Sequence, residues 1–331
     1  MPSSIFNPPS SPILVTGGGG FIGSHLVERL LKDGQSVVVI DDFSTGSMEN
    51  LRMVKNNPRL KIVRSKISEC KDLSKLVEKS GFIFHLAATV GVELVVKSAL
   101  HVLESNFHET QVLFHAAAKN STPVLLASTS EVYGKSAKTE FAEDDDLLIG
   151  PPNHSRWSYA CSKLMDEFLA LSYARERSLP VVIARLFNTV GPRQTGSFGM
   201  VLPRFISAAK ANTPLRIHGD GLQTRCFCYV ADTVEALIRL QNSPAARGQV
   251  FNVGGTEEVT IRGLAEKVIE VLHSNSALEF VRYEEAYAPG FDDMRRRKPM
   301  VEKLFATVGF RPNTPLAEII RRTAAAAERI G

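Results

Sequence analysis

Thr16 is followed by four glycines, then Phe21, Ile22 and a further glycine, so glycines fall at positions 17, 20 and 23. A short apolar run, Ile13–Thr16, precedes them, and a stretch with helical periodicity, Phe21–Lys32, follows. A turn this free of side chains lets another group approach the backbone, and its last glycine lets the helix pack closely on the strand. The chain is thereby committed to a βα unit at its start. Val37–Ile40, Leu60–Val63, Phe82–Leu86, Val124–Leu126 and Val181–Ile183 read as further buried strands. Helical stretches such as Leu100–Ala118 and Trp157–Arg177 fall between them. Strands alternating with helices predict βαβ crossovers, hence an α/β fold with a doubly wound parallel sheet covered on both faces.

After Leu186 the rhythm breaks into loops rich in Gly, Pro and Arg. A strand at Phe251–Val253 and helices at Ile261–His273 and Leu316–Ile330 then resume the pattern. The expected division is a loose tail over 1–12, a main domain over 13–186 and a smaller C-terminal α/β lobe over 187–331. Segments near 226–253 are expected to return to the main sheet.

The formal net charge of +4, from 39 basic and 35 acidic residues, is too small to argue for nucleic acid. Cys226 and Cys228 lie two apart in a strand-like run, so they share a face and lack metal-ligand or redox spacing. All four cysteines read as reduced thiols, the usage of a cytoplasmic protein. The start, rich in Ser and Pro, lacks the basic and apolar regions of a signal peptide, and no apolar run nears the ~20 residues of a membrane helix. The acidic run Glu143–Asp146 reads as a solvated loop, not a metal site, and no metal is expected.

The glycine spacing is a variant of the dinucleotide fingerprint. Gly17, Gly20 and Gly23 clear space for a pyrophosphate, and the amides at Phe21 and Ile22 open the helix whose positive end faces it. Asp41, about 20 positions on at the end of the second strand, can accept a bond from a ribose hydroxyl and would repel a 2′-phosphate, favouring NAD. Asp42 is adjacent and can share that role. Tyr159 and Lys163 are four apart on a predicted helix, so both lie on one face. A lysine one turn away would favour the phenolate of a tyrosine base. Thr129, ending a strand, can bond the same substrate hydroxyl, at the edge where ligands of open parallel sheets bind.

Residues 13 to 330 resemble the extended short-chain dehydrogenase/reductases, the NAD-dependent nucleotide-sugar epimerases, dehydratases and decarboxylases. The resemblance rests on the glycine fingerprint, His85–Ala88, Ser128–Gly134, Tyr159 with Lys163, Arg185–Pro192 and Arg225–Asp232. It implies a Rossmann domain with a small substrate lobe, NAD retained through turnover, Ala87 beside the cofactor, and a homodimer pairing Leu100–Ala118 and Trp157–Arg177. It also implies that Asn188 and Arg225 contact a sugar diphosphate, and that Gly219–Gly221 lies by the nucleoside.

Within the family, Ser130-Glu131 and the phrase from Gly150 to Tyr159 are similar to UDP-glucuronate decarboxylases. Arg295–Pro299 matches an element near their end. The resemblance implies transient oxidation at sugar C4 and loss of the C6 carboxylate, giving UDP-xylose. Arg156 or Arg297 would hold that carboxylate, Ser130 would touch substrate, and Glu131 would orient the carboxylate or manage protons. Thr89–Val92 and Val201–Arg204 look more generic, which leaves a UDP-hexose or UDP-hexuronate 4-epimerase as the alternative. A non-catalytic NAD-binding sensor is a remoter one, since such proteins usually lack the tyrosine or lysine.

Overall fold

The computed structural model describes residues 11–90, 98–194, 200–282, 285 and 294–327. The remaining residues, which include most of the expected tail, Gly91 and Val92, and the last turn of the expected C-terminal helix, lie outside it.

Seven parallel strands form the central sheet in the order β11-β6-β5-β4-β1-β2-β3. They are β1 (Ile13–Thr16), β2 (Val37–Asp41), β3 (Leu60–Arg64), β4 (Phe82–His85), β5 (Val124–Thr129), β6 (Val181–Leu186) and β11 (Gln249–Val253). The doubly wound α/β expectation is met. Strand order reverses beside β1, with β2 on one side and β4 on the other, and this is where such sheets open a crevice at their carboxyl ends.

Why these strands read as continuous apolar runs follows from their two covered faces. On β1 and β2, Ile13, Val15, Val37 and Val39 point into one layer, with α1 (Phe21–Lys32). Leu14, Val38 and Ile40 point into the other, under α2 (Leu73–Lys79), α3 (Ala99–Asn120) and α4 (Trp157–Arg177). The first layer is completed by α6 (Val230–Gln241) and α8 (Glu302–Val308). A separate apolar cluster joins α5 (Val201–Lys210), α7 (Ile261–Leu272) and α9 (Leu316–Ala327) around Leu215 and Ile217.

Among the described residues the C-terminal part also contains three two-stranded sheets, and these differ from expectation. Cys226 ends β9 (Thr224–Cys226), which pairs antiparallel with β12 (Glu258–Thr260). Cys228 begins β10 (Cys228–Tyr229), which pairs with β7 (Thr189–Val190). The two thiols therefore do not share a strand face. Phe227 lies between the two strands, and its carbonyl passes Gly255 so closely that a Cβ there would lie 2.2 Å from it. The third pair is β8 (Leu215–His218) with β13 (Leu278–Val281).

Candidate active site

A cleft of about 660 Å³ opens at the carboxyl edge of the sheet, and one end of it is the glycine turn. Gly17 has φ +72°, and a Cβ on it would sit 2.7 Å from the Ala87 amide nitrogen. A Cβ on Gly23 would lie 2.1 Å from the Gly17 carbonyl oxygen. The turn therefore tolerates no side chain at either position. Helix α1 begins there with no side-chain cap and no acidic residue in its first turn. Its positive end meets no neutralising group from its own first turn and suits a phosphate.

Asp41 lies at the end of β2 and lines the same cleft. Its Oδ2 accepts the Gly19 amide and its Oδ1 the Phe43 amide, both at 2.7 Å. Two bonds fix the carboxylate and leave lone pairs free, so a ribose diol could still be held. Asp42 is turned to its own loop, accepting from the amide and hydroxyl of Ser44. The glycine cradle, the open helix end and the fixed carboxylate together fit a dinucleotide without a 2′-phosphate, with Phe21, Ile22 and Ala87 lining its path.

Thr129 closes β5, and a single 3-10 turn, Ser130–Tyr133, swings Glu131 into the cleft. Across from it, α4 brings Tyr159, whose phenol is hydrogen-bonded by Thr129. Burial pushes the Tyr159 hydroxyl up, and Glu131 and Asp166 push it further, against Thr129 and Arg297. Lys163 shares that helix face but does not line the cleft. Its ammonium is buried 2.8 Å from Asp166 Oδ2.

Glu131 is gripped from two sides. Arg156 Nη2 lies 3.2 Å from one carboxylate oxygen and Arg297 Nη1 lies 2.7 Å from the other. Burial pushes the carboxyl up, but Arg156, Arg297 and Arg225 outweigh it and hold it at about 2. Glu131 is therefore an anion at neutral pH, an acceptor and not a proton donor. Arg297 also donates to Ser130 Oγ at 2.8 Å. Ser130 is fully buried and does not itself line the cleft.

Arg297 comes from a segment stitched in place by backbone bonds. The Phe141 amide donates to the Lys298 carbonyl and the Met300 amide to the Phe141 carbonyl, each at 2.9 Å. Asn252 on β11 ties the same pair, donating to the carbonyls of Phe141 and Met300. Its Oδ1 accepts the Tyr133 hydroxyl at 2.7 Å, and Arg185 donates to that hydroxyl while gripping Glu167. This corrects the reading of Glu143–Asp146 as a merely solvated loop. Glu143 is half-buried, its carboxylate accepts the Asn252 amide, and its carbonyl accepts Arg185.

Asn188 and Arg225 both line the cleft, as does none of Gly219–Gly221. Asn188 has φ +27° and donates to the Cys226 carbonyl at 2.8 Å, so it also braces the loop beside β9. The cleft further gathers Arg193, Arg204, Arg216 and His218, which were not singled out in the sequence. Arg193 and Arg204 lie within or beside recognisable phrases; Arg216 and His218 sit on a four-residue strand with no motif to mark them.

The model of the NAD dependent epimerase/dehydratase family matches residues 13–254. The chain is 40% identical over 311 residues to a UDP-N-acetyl-alpha-D-glucosaminuronate decarboxylase of Bacillus cytotoxicus, covering 94% of this chain and 95% of the relative. It is 34% identical over 327 residues to UDP-glucuronic acid decarboxylase 3 of Arabidopsis thaliana, covering 96% and 89%. A solved UDP-glucuronic acid 4-epimerase from Bacillus cereus, in complex with UDP-glucuronic acid and NAD, superposes with a TM-score of 0.86 at 29% identity. That superposition covers 97% of this chain and 100% of the epimerase.

Proposed function

This chain belongs to the NAD-dependent epimerase/dehydratase family, and from that premise we propose that it is an NAD-dependent decarboxylase of a UDP-hexuronate, forming a UDP-pentose such as UDP-xylose from UDP-glucuronate. The observation that carries the reading is the Arg156–Glu131–Arg297 cluster beside Tyr159. Three guanidiniums act on one carboxylate there. The surplus positive charge suits a second carboxylate, that of the sugar, and Arg225 and Asn188 suit the diphosphate. The two decarboxylases at 40% and 34% identity support it.

Gly17, Gly20, Gly23, Phe21, Ile22, Asp41 and Ala87 hold the dinucleotide. When bound, NAD supplies a reversible hydride acceptor for sugar C4. Tyr159 takes the proton of the 4-hydroxyl, helped by Thr129 and by the charge of Lys163. With C4 at the ketone level, its carbonyl lies β to the C6 carboxylate. The C5–C6 bond then breaks, CO₂ leaves, and its electron pair is held as an enolate. A proton is added at C5, and Tyr159 returns its proton as C4 is reduced again. Glu131, held ionised, fixes Arg297 and Arg156 at the carboxylate's position and can order a water for the C5 proton.

Residues 13–186 serve as the NAD-binding part and 187–331 mainly as the substrate lobe, with β11 returning to the sheet. The enzyme works as a homodimer through α3 and α4, where Leu100, Met165 and Phe168 are exposed. Its four free cysteines suit the cytoplasm; among the described residues no helix is long and apolar enough to cross a membrane.

NMR of product mixtures tests the reaction, with UDP-glucuronate and UDP-N-acetylglucosaminuronate, which differ only at C2, offered in parallel. Release of CO₂ and a UDP-sugar lacking C6 is expected from at least one. A six-carbon 4-epimer as the sole product would replace the decarboxylase by the epimerase reading.

A further inference from the structure

The mechanism above uses the charge of Lys163 but leaves its neighbour unexplained. Lys163 and Asp166 are both sealed from solvent, with side chains 2% and 0% exposed, and their charged atoms are 2.8 Å apart. Asp166 Oδ1 has no hydrogen-bond partner of good geometry among the described residues. Burial pushes the carboxyl up, against Lys163 and the Thr110 hydroxyl, which favour the anion. Beyond Thr110 stands His85, bonded to Thr110 Oγ1 at 3.0 Å and to Thr16 Oγ1 at 2.7 Å. Burial, with Lys163 adding to it, lowers His85 to about 3, so this ring brings no charge. A buried ion pair is an expensive way to fill space, and apolar residues of like volume often serve stability better.

We propose that Asp166 is a positioning residue for the Tyr159–Lys163 pair: it draws the lysine ammonium back along α4 and sets the pH at which the pair releases its first proton. The inference rests on Tyr159 being the base. Among the described residues, the charged and titratable groups facing the pair are Asp166 and Glu167 on α4, Arg156 at its start, Glu131 after β5, His85 on β4 and Arg297 from the C-terminal segment. Arg156 and Arg297 are engaged by Glu131, and Glu167 by Arg185. Asp166 is the carboxylate in contact with Lys163, while Glu131, itself engaged by two arginines, also opposes ionisation of Tyr159. With that offset the phenol stays protonated until further positive charge enters the cleft, which oxidised NAD brings. A phenolate beside an ammonium and a phenol beside an amine contain the same number of protons. Removing the Asp166 charge therefore eases the first deprotonation in either distribution.

The test is Asp166→Asn, read by ultraviolet difference titration of the tyrosinate band in NAD-loaded enzyme, with Tyr159→Phe as the blank. The midpoint should fall by about one pH unit or more, and the acid limb of kcat should move the same way with KM little changed. Asp166→Glu, which keeps the charge, should stay near the parent midpoint. A midpoint and limb that do not move, or a kcat lowered equally at every pH, would overturn the proposal. Should the Asn variant not fold, Asp166→Ser carries the same expectation. Turnover retained in Tyr159→Phe would instead remove the base assignment, a failure distinct from that of Asp166.

Discussion

The role proposed for Tyr159 depends on the groups around its hydroxyl, and it is testable one side chain at a time. Tyr159→Phe keeps the ring and its packing and removes only the hydroxyl that Thr129 bonds. It should melt within a few degrees of the parent and lose about 100-fold or more of kcat. Circular dichroism and a product assay together check this, and near-parent turnover would defeat the mechanism. A second residue-scale expectation concerns pH. His85 takes up a proton near 6.5 when unfolded but only at about 3 when folded. Its contribution to stability is complete above pH 6.5 and is lost as pH falls toward 3. Glu131 behaves likewise lower down, complete above 4.5 and lost toward about 2. Urea unfolding should therefore weaken from pH 7 to 5 by up to about 2 kcal/mol through His85. His85→Gln should flatten that decline; an unchanged slope would assign it to other groups.

At the level of elements, the helix ends offer the cleanest measurement. Thr260 caps α7 by accepting the Gly263 amide at 2.9 Å, and Thr260→Ala should cost about 1 kcal/mol in urea unfolding without changing kcat. Elements with long, uniform patterns were legible from sequence. Trp157–Arg177 is a helix over the very residues its periodicity marks, and β1 and α1 likewise. The proposed base Tyr159 and its neighbours Lys163 and Thr129 could be placed from the sequence with them, because each occupies a fixed place on such an element. The short sheets were not, since two- or three-residue strands such as β7 and β10 have no period to read and exist only through distant partners. Asp166 is illegible for a different reason: an acid three places after a lysine on a helix is ordinarily a solvated surface pair, and its burial here arises from tertiary packing. That Arg297 would close on Glu131 was equally hidden, because much of the chain separates the two in sequence.

For the whole molecule, the exposed apolar residues on α3 and α4 set the expected assembly. Leu100, Met165 and Phe168 are 69%, 47% and 63% exposed. Light scattering at micromolar concentration should give twice the chain mass, and Phe168→Arg should shift it toward one; a parent that is monomeric would refute the pairing. A last consequence concerns how such a protein can be divided. The chain leaves the sheet after β6, begins the second apolar cluster with α5 and β8, comes back to lay β11 against β6, and then completes that cluster with α7 and α9, while Asn252 ties down the segment bearing Arg297. A fragment ending at Leu186 would keep the glycine turn and Tyr159 but expose the outer edge of β6, and it would lack a guanidinium that holds Glu131. The two halves are interleaved like the tongues of a clasp, so neither is a cassette that could be lifted out and fused elsewhere with its share of the work intact.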